Sequence, residues 1–118
     1  MRICVYKLFR QSEWQEAARN GLFTGSPDDR RDGFIHLSAA SQVRGTFEKY
    51  FAGEREPVLA GFDADSFGVA LKWEISRNGE RFPHLYGVLD VSRALSVSRI
   101  CRDAGGAPEF PVEIPASQ

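Results

Sequence analysis

The chain has 118 residues, 42% of them hydrophobic and fourteen aromatic, which is too short for two typical domains yet enough for one core without disulfides or metal. Fifteen Lys and Arg against sixteen Asp and Glu leave a net charge of −1. That balance argues against the broad basic surface of a duplex nucleic-acid binder and leaves room for a local anion pocket.

No apolar run approaches the roughly 20 residues of a membrane span. The opening Met1-Arg2-Ile3-Cys4-Val5-Tyr6 lacks a secretory signal pattern, so a cytoplasmic chain without a membrane partner is expected. Cys4 and Cys101 form no local metal or redox motif and read as buried free thiols.

In chain order, Ile3 to Leu8 is β-branched and aromatic and predicts an opening strand. Ser12 followed by Gln15 reads as a capping box, and Trp14, Ala17, Ala18, Gly21 and Leu22 form the buried stripe of a short helix stopped at Gly21. Thr24 to Asp32 is turn-rich and nearly devoid of apolar residues, which predicts an exposed loop. Gly33 to Leu37 is a short strand. Ser38 or Ser41 then caps a second helix, with Val43, Phe47, Tyr50 and Phe51 on one face and Gly53 at its end.

Pro57 to Phe62 and Val69 to Ser76 read as strands, and Asn78-Gly79 is a hairpin signal leading into a strand over Phe82 to Leu89. Pro83 places that strand at a sheet edge or makes this its start. Leu95 to Cys101 is the last strand, and residues 104–118, with two glycines and three prolines, form an irregular tail after a single domain over residues 1–103. Two early helices and several strands without regular βαβ alternation define an α+β class.

The two histidines each interrupt an apolar strand. If Ile35, Leu37 and Leu85 face the core, alternation projects His36, Ser38, His84 and Tyr86 from the opposite face, as a pocket wall of imidazoles and hydroxyls. Each ring is also readable as a structural histidine bonded to backbone. In Trp73-Glu74-Ile75-Ser76-Arg77 the apolar residues share one face with Val69 and Leu71, while Lys72, Glu74 and Ser76 take the other. That polar face is either solvated or functional, with Glu74 on a ligand hydroxyl and Arg77 on a phosphate or on Glu74 itself. Two histidines give too few ligands for a zinc site.

The strings Tyr6-Lys7, Trp14, Gly25-Ser26, Asp32-Gly33-Phe34-Ile35-His36-Leu37-Ser38, Trp73-Glu74 with Ser76-Arg77, and Phe82-Pro83-His84-Leu85-Tyr86-Gly87 together resemble the small bacterial domain-of-unknown-function family 952, from about residue 3 to residue 100. The resemblance implies a compact ADP-ribosyltransferase-like fold with two small sheets around a cleft, and NAD as its cofactor. It places His36 on a ribose hydroxyl, Ser38 on the nicotinamide amide, His84 as a second catalytic histidine and Tyr86 as an aromatic clamp. The late-strand glutamate of the better-known transferases has no counterpart: Glu74 comes early and Glu109 lies in the tail.

Three readings follow. One is an NAD-dependent ADP-ribosyl or phosphoribosyl-type transferase with His36, His84 and Glu74 as catalytic residues and His36, Ser38, Tyr86 and Arg77 holding the cofactor. The second is a binder of a small nucleotide-like ligand. The third is a non-catalytic interaction domain with an apolar patch near Trp14, Phe23 or the tail.

Overall fold

A computed structural model of the chain describes residues 2–116. Its strands are β1 (Cys4–Phe9), β2 (Leu22–Phe23), β3 (Ile35–His36), β4 (Ser38–Ala39), β5 (Val58–Asp63), β6 (Leu71–Ile75), β7 (Arg81–Leu85), β8 (Leu89–Asp90) and β9 (Ser96–Arg99). The α-helices are α1 (Gln11–Asn20), α2 (Pro27–Asp32) and α3 (Val43–Tyr50).

The class is α+β, with every strand pairing antiparallel. Three sheets form, not two: a four-stranded sheet of order β4-β1-β5-β9, a two-stranded β2-β8, and a three-stranded β3-β7-β6. The extra sheet arises because the expected strand over Phe82 to Leu89 breaks after Leu85. Its last residues pair separately with β2, where Phe23 lies opposite Leu89.

Alternation along β1 splits the core in two. Val5 and Phe9 point to one side of the four-stranded sheet, with Phe62, Ile35, Leu37 and Leu85. Tyr6 and Leu8 point to the other, with Leu59 and the Val43 and Phe47 stripe of α3. The α1 stripe docks edge-on, the Trp14 ring 5.2 Å from that of Phe9. This helix begins one residue before Ser12, and Glu13 Oε1 accepts the Arg10 N–H at 2.9 Å, so Arg10, not Ser12, precedes it. Gly21, at φ 83°, ends it as expected.

The predicted loop before residue 33 is instead α2. Ser26 Oγ accepts the Asp29 N–H at 3.2 Å, Asp29 Oδ2 accepts the Ser26 N–H at 2.9 Å, and Pro27 opens the first turn. Neither Ser38 nor Ser41 caps α3; the turn Ala40–Gln42 leads into it, and Gln42 Oε1 accepts the Ala39 N–H. Pro83 sits at neither an edge nor a strand start, since β7 is the middle strand of its sheet. Its carbonyl accepts the Leu37 N–H at 3.0 Å, and the reciprocal bond has no donor, so β3 ends at His36.

That stop matters for the site. The chain leaves one sheet at His36 and enters the other at Ser38, so these two side chains stand at the junction between sheets. Among the described residues after 103 there is no helix or strand, yet Phe110 and Ile114 pack into the second core cluster. Cys4 is half-buried and Cys101 exposed, both free, which corrects the expectation that both are buried. No helix among the described residues is long and apolar enough to cross a membrane.

Candidate functional site

A cleft of about 410 Å³ opens where the two larger sheets meet α2 and α3. His36, Ser38, Arg77 and His84 all line it, as does the buried Leu37, and Ile35 and Leu85 are buried in the core behind. Glu74 and Tyr86 are not among the lining residues. Glu74 Oε1 instead accepts from His84 Nδ1 at 2.8 Å and from the Tyr86 hydroxyl at 2.8 Å. Tyr86 is therefore not an aromatic clamp inside the cleft, and Glu74 meets it only through His84. The His84 bond, then that of Tyr86, holds the Glu74 carboxyl below the usual glutamate range, while Glu74 raises the Tyr86 phenol.

His84 is 4% exposed. Its ring stacks on Phe34 at 3.9 Å between centroids and meets His36 edge-on at 5.7 Å. Its Nε2 is the one buried side-chain nitrogen or oxygen without a hydrogen-bond partner among the described residues.

His36 is in the opposite condition. Nδ1 lies 2.6 Å from Asp29 Oδ1 and Nε2 2.9 Å from Asp32 Oδ2. Only a doubly protonated ring donates to both; a neutral one leaves a carboxylate facing a lone pair. While α2 is in place, His36 has no free nitrogen for a ribose hydroxyl.

Asp29 is buried and saturated. Besides the imidazole it accepts from the backbone N–H of His36 and Ser26 and from Lys7 Nζ. Burial by itself would raise its carboxyl, but the His36 bond, the Lys7 charge and the backbone donors outweigh it and hold the group well below the usual carboxylate range. Lys7, also buried, finds three acceptors: both Asp29 oxygens and the His36 carbonyl at 3.0 Å. Three acceptors match the three N–H groups of an ammonium.

Lys7, Asp29, Asp32 and Thr46 are site residues missed in the sequence. Two signals for the first three existed. Lys7 is the lone charge in an apolar strand, and Ser26-Pro27-Asp28-Asp29 has the spacing of a capped helix start. The absence of any apolar stripe over residues 27–32 hid the helix.

On the other side of the cleft, Arg77 Nη2 donates to Thr46 Oγ1 at 3.2 Å, and Ser38 Oγ is 3.0 Å from the same Thr46 oxygen. Arg77 does not pair with Glu74, the second alternative read from the sequence. Its guanidinium lies 4.8 Å from the Phe82 ring centroid. No group of three or more His, Cys, Asp or Glu among the described residues is arranged to hold a metal ion.

The expected apolar patch near Trp14 and Phe23 does not form, since Trp14 is half-buried and Phe23 buried. Exposed apolar side chains are instead spread over the surface: Val69, Trp73, Ile75 and Tyr86 lie on and beside β6, Leu95 and Val97 at β9, and Val112 in the tail. Along β6 the apolar face is split: Leu71 packs against the first core cluster, whereas Trp73 and Ile75 are open to solvent.

Fold and cleft together define a small α+β protein of antiparallel sheets with a two-histidine cleft at their junction. The chain belongs to the family described as protein of unknown function DUF952, which matches residues 8–97. It is similar to protein CC0527 from Caulobacter crescentus, a structural genomics target, at 44% sequence identity. The crystal structure of that protein aligns over 90% of this chain and 93% of its own, with a TM-score of 0.83. Its solution NMR structure aligns over 90% and 91%, with a TM-score of 0.79. No curated protein matches the chain. The family description and these structures state no ligand, activity or ADP-ribosyltransferase fold.

Proposed function

We propose that the cleft binds a nucleotide-type small molecule, with NAD the first candidate, and that its two-histidine floor works on the ribose of that ligand in an ADP-ribosyl or phosphoribosyl-type transfer. The observation behind this reading is the unpartnered Nε2 of His84, buried in the wall of a cleft of about 410 Å³. Buried polar atoms without partners are rare and costly, and this volume falls within the usual range for small-molecule sites.

The roles differ from those the family resemblance implies. His84 makes the ribose contact, because both His36 nitrogens are held by Asp29 and Asp32. Glu74 acts as the residue that fixes the His84 ring, and Asp29 and Asp32 hold the His36 ring beside it. A positioned imidazole and nearby carboxylates would stabilise the positive character that develops as a glycosidic bond loosens.

The test is a thermal-shift screen with NAD, ADP-ribose, nicotinamide and phosphorylated nucleosides, followed by an assay for nicotinamide release. A ligand at a hundred times its dissociation constant adds about 2.7 kcal/mol of stability. A rise in melting temperature with NAD, lost in His84→Ala, supports the reading; no rise with any nucleotide overturns it. Nicotinamide release that Glu74→Gln reduces about 10²-fold or more supports the catalytic part.

A second reading, partner binding, has one observation in its favour. β6 is an edge strand whose Trp73 and Ile75 are 38% and 60% exposed. Concentration-dependent self-association abolished by Trp73→Glu favours it.

A further inference from the structure

The cleft's hydrogen-bonding groups have a definite polarity, and that polarity selects the ligand. Glu74 Oε1 faces both His84 Nδ1 and the Tyr86 hydroxyl. A carboxylate has no proton to give, so Nδ1 carries the ring proton and a neutral His84 offers the cleft a bare lone pair on Nε2. The ring is fixed in this attitude by its stacking on Phe34. Any ligand group brought within hydrogen-bond reach of Nε2 must be a donor.

The opposite sign prevails around Arg77. Within this cleft Lys7, Arg10 and Arg31 each have a carboxylate partner, whereas Arg77 has none among the described residues. Arg77 donates to Thr46, which takes one lone pair of that hydroxyl. If Thr46, which accepts from Arg77, donates its own proton to Ser38, the Ser38 O–H is left free as a further donor. Arg77 and Ser38 together offer donors and positive charge.

The two regions are close. Phe82, under the Arg77 guanidinium, and His84 stand two residues apart on one face of β7, which is about 7 Å along a strand. We propose that the cleft recognises a hydroxylated oxyanion, with the anionic head on Arg77 and Ser38 and one hydroxyl donating to Nε2 of His84. This rests on the cleft being a ligand site, as proposed above, and not on the ligand being a dinucleotide.

Calorimetric titration with ribose 5-phosphate, ribonate, methyl phosphate and ribose tests it, the first two separating a phosphate from a carboxylate head. At least one of the hydroxylated anions should bind about tenfold or more tighter than either methyl phosphate or ribose. Arg77→Ala should remove about tenfold of that affinity and leave ribose unchanged, since a charge-assisted bond is lost. Long-range proton–nitrogen NMR of the wild-type protein, which needs no variant to fold, should show His84 protonated on Nδ1 and bare on Nε2 at a pH of about 8.5, with Nε2 shifting on addition of the bound anion.

Methyl phosphate binding as tightly as both ribose 5-phosphate and ribonate overturns the proposal. So do a proton on Nε2 with Nδ1 bare, an unchanged affinity in Arg77→Ala, or binding of none of the four probes. NAD binding that Arg77→Ala leaves intact defeats this proposal but not the nucleotide reading. Ribose 5-phosphate binding without any NAD binding does the reverse.

Discussion

At the scale of single residues, Asp29 ties the cleft together. It joins Lys7 of β1, Ser26 at the start of α2 and His36 of β3 through one carboxylate. Removing one partner of a buried ion pair strands the other, at a cost of about 3–5 kcal/mol. Asp29→Ala is therefore expected to lower stability by that amount in urea unfolding. Its folded carboxyl lies below the ordinary value of 3.8, so the native state binds this proton less readily than the unfolded chain does. The stabilisation is complete above about pH 4 and is lost as pH falls towards the folded value. The urea midpoint of the wild type should fall progressively as pH drops below about 4, and Asp29→Asn should flatten that fall; an equal fall in both would assign it to other carboxylates.

At the scale of elements, the four-stranded sheet depends on a missing side chain. Gly61 on β5 lies directly opposite Tyr6 on β1 and Ser96 on β9. A Cβ there would stand 2.7 Å from Ser96 Oγ and 2.9 Å from the Tyr6 ring, closer than real contacts allow. The Tyr6 ring crosses the glycine and also lines the cleft. Gly61→Ala is expected to cost about 1–3 kcal/mol, as overpacking does, read as a lowered urea midpoint. Displaced Tyr6 ring resonances should accompany that loss. The hairpin between β6 and β7 works by the other property of glycine, with Asn78 and Gly79 both at positive φ, as the Asn-Gly pair in the sequence signalled.

At the scale of the whole molecule, the tail belongs to the core but not to the cleft. Ile114 is 3% exposed in the cluster with Phe47 and Leu59. The Phe110 ring meets Phe47 edge-on at 5.3 Å beneath the Arg44 guanidinium. Ile114→Ala should cost about 2–5 kcal/mol of stability, measured by urea unfolding. No described residue after 103 lines the cleft, so ligand affinity measured well below the melting temperature should not change. A loss of affinity equal to the loss of stability would instead show that the tail shapes the site.

The sequence by itself determined what depends on local pattern. Strand alternation put Ile35, Leu37 and Leu85 inward, the glycine after α1 ended that helix, and the Asn-Gly pair turned the hairpin, because each rests on backbone preferences within a few residues. It also contained a signal for α2, in the Ser26 and Asp29 spacing, that a lack of apolar periodicity obscured. Tertiary structure alone decided which nitrogens of the two histidines are occupied. Asp29 and Asp32 reach His36 from another element, and Glu74 reaches His84 across the β6–β7 pair. These contacts depend on how α2 sits against β3 and β6 against β7, which the apolar pattern of the segments does not encode.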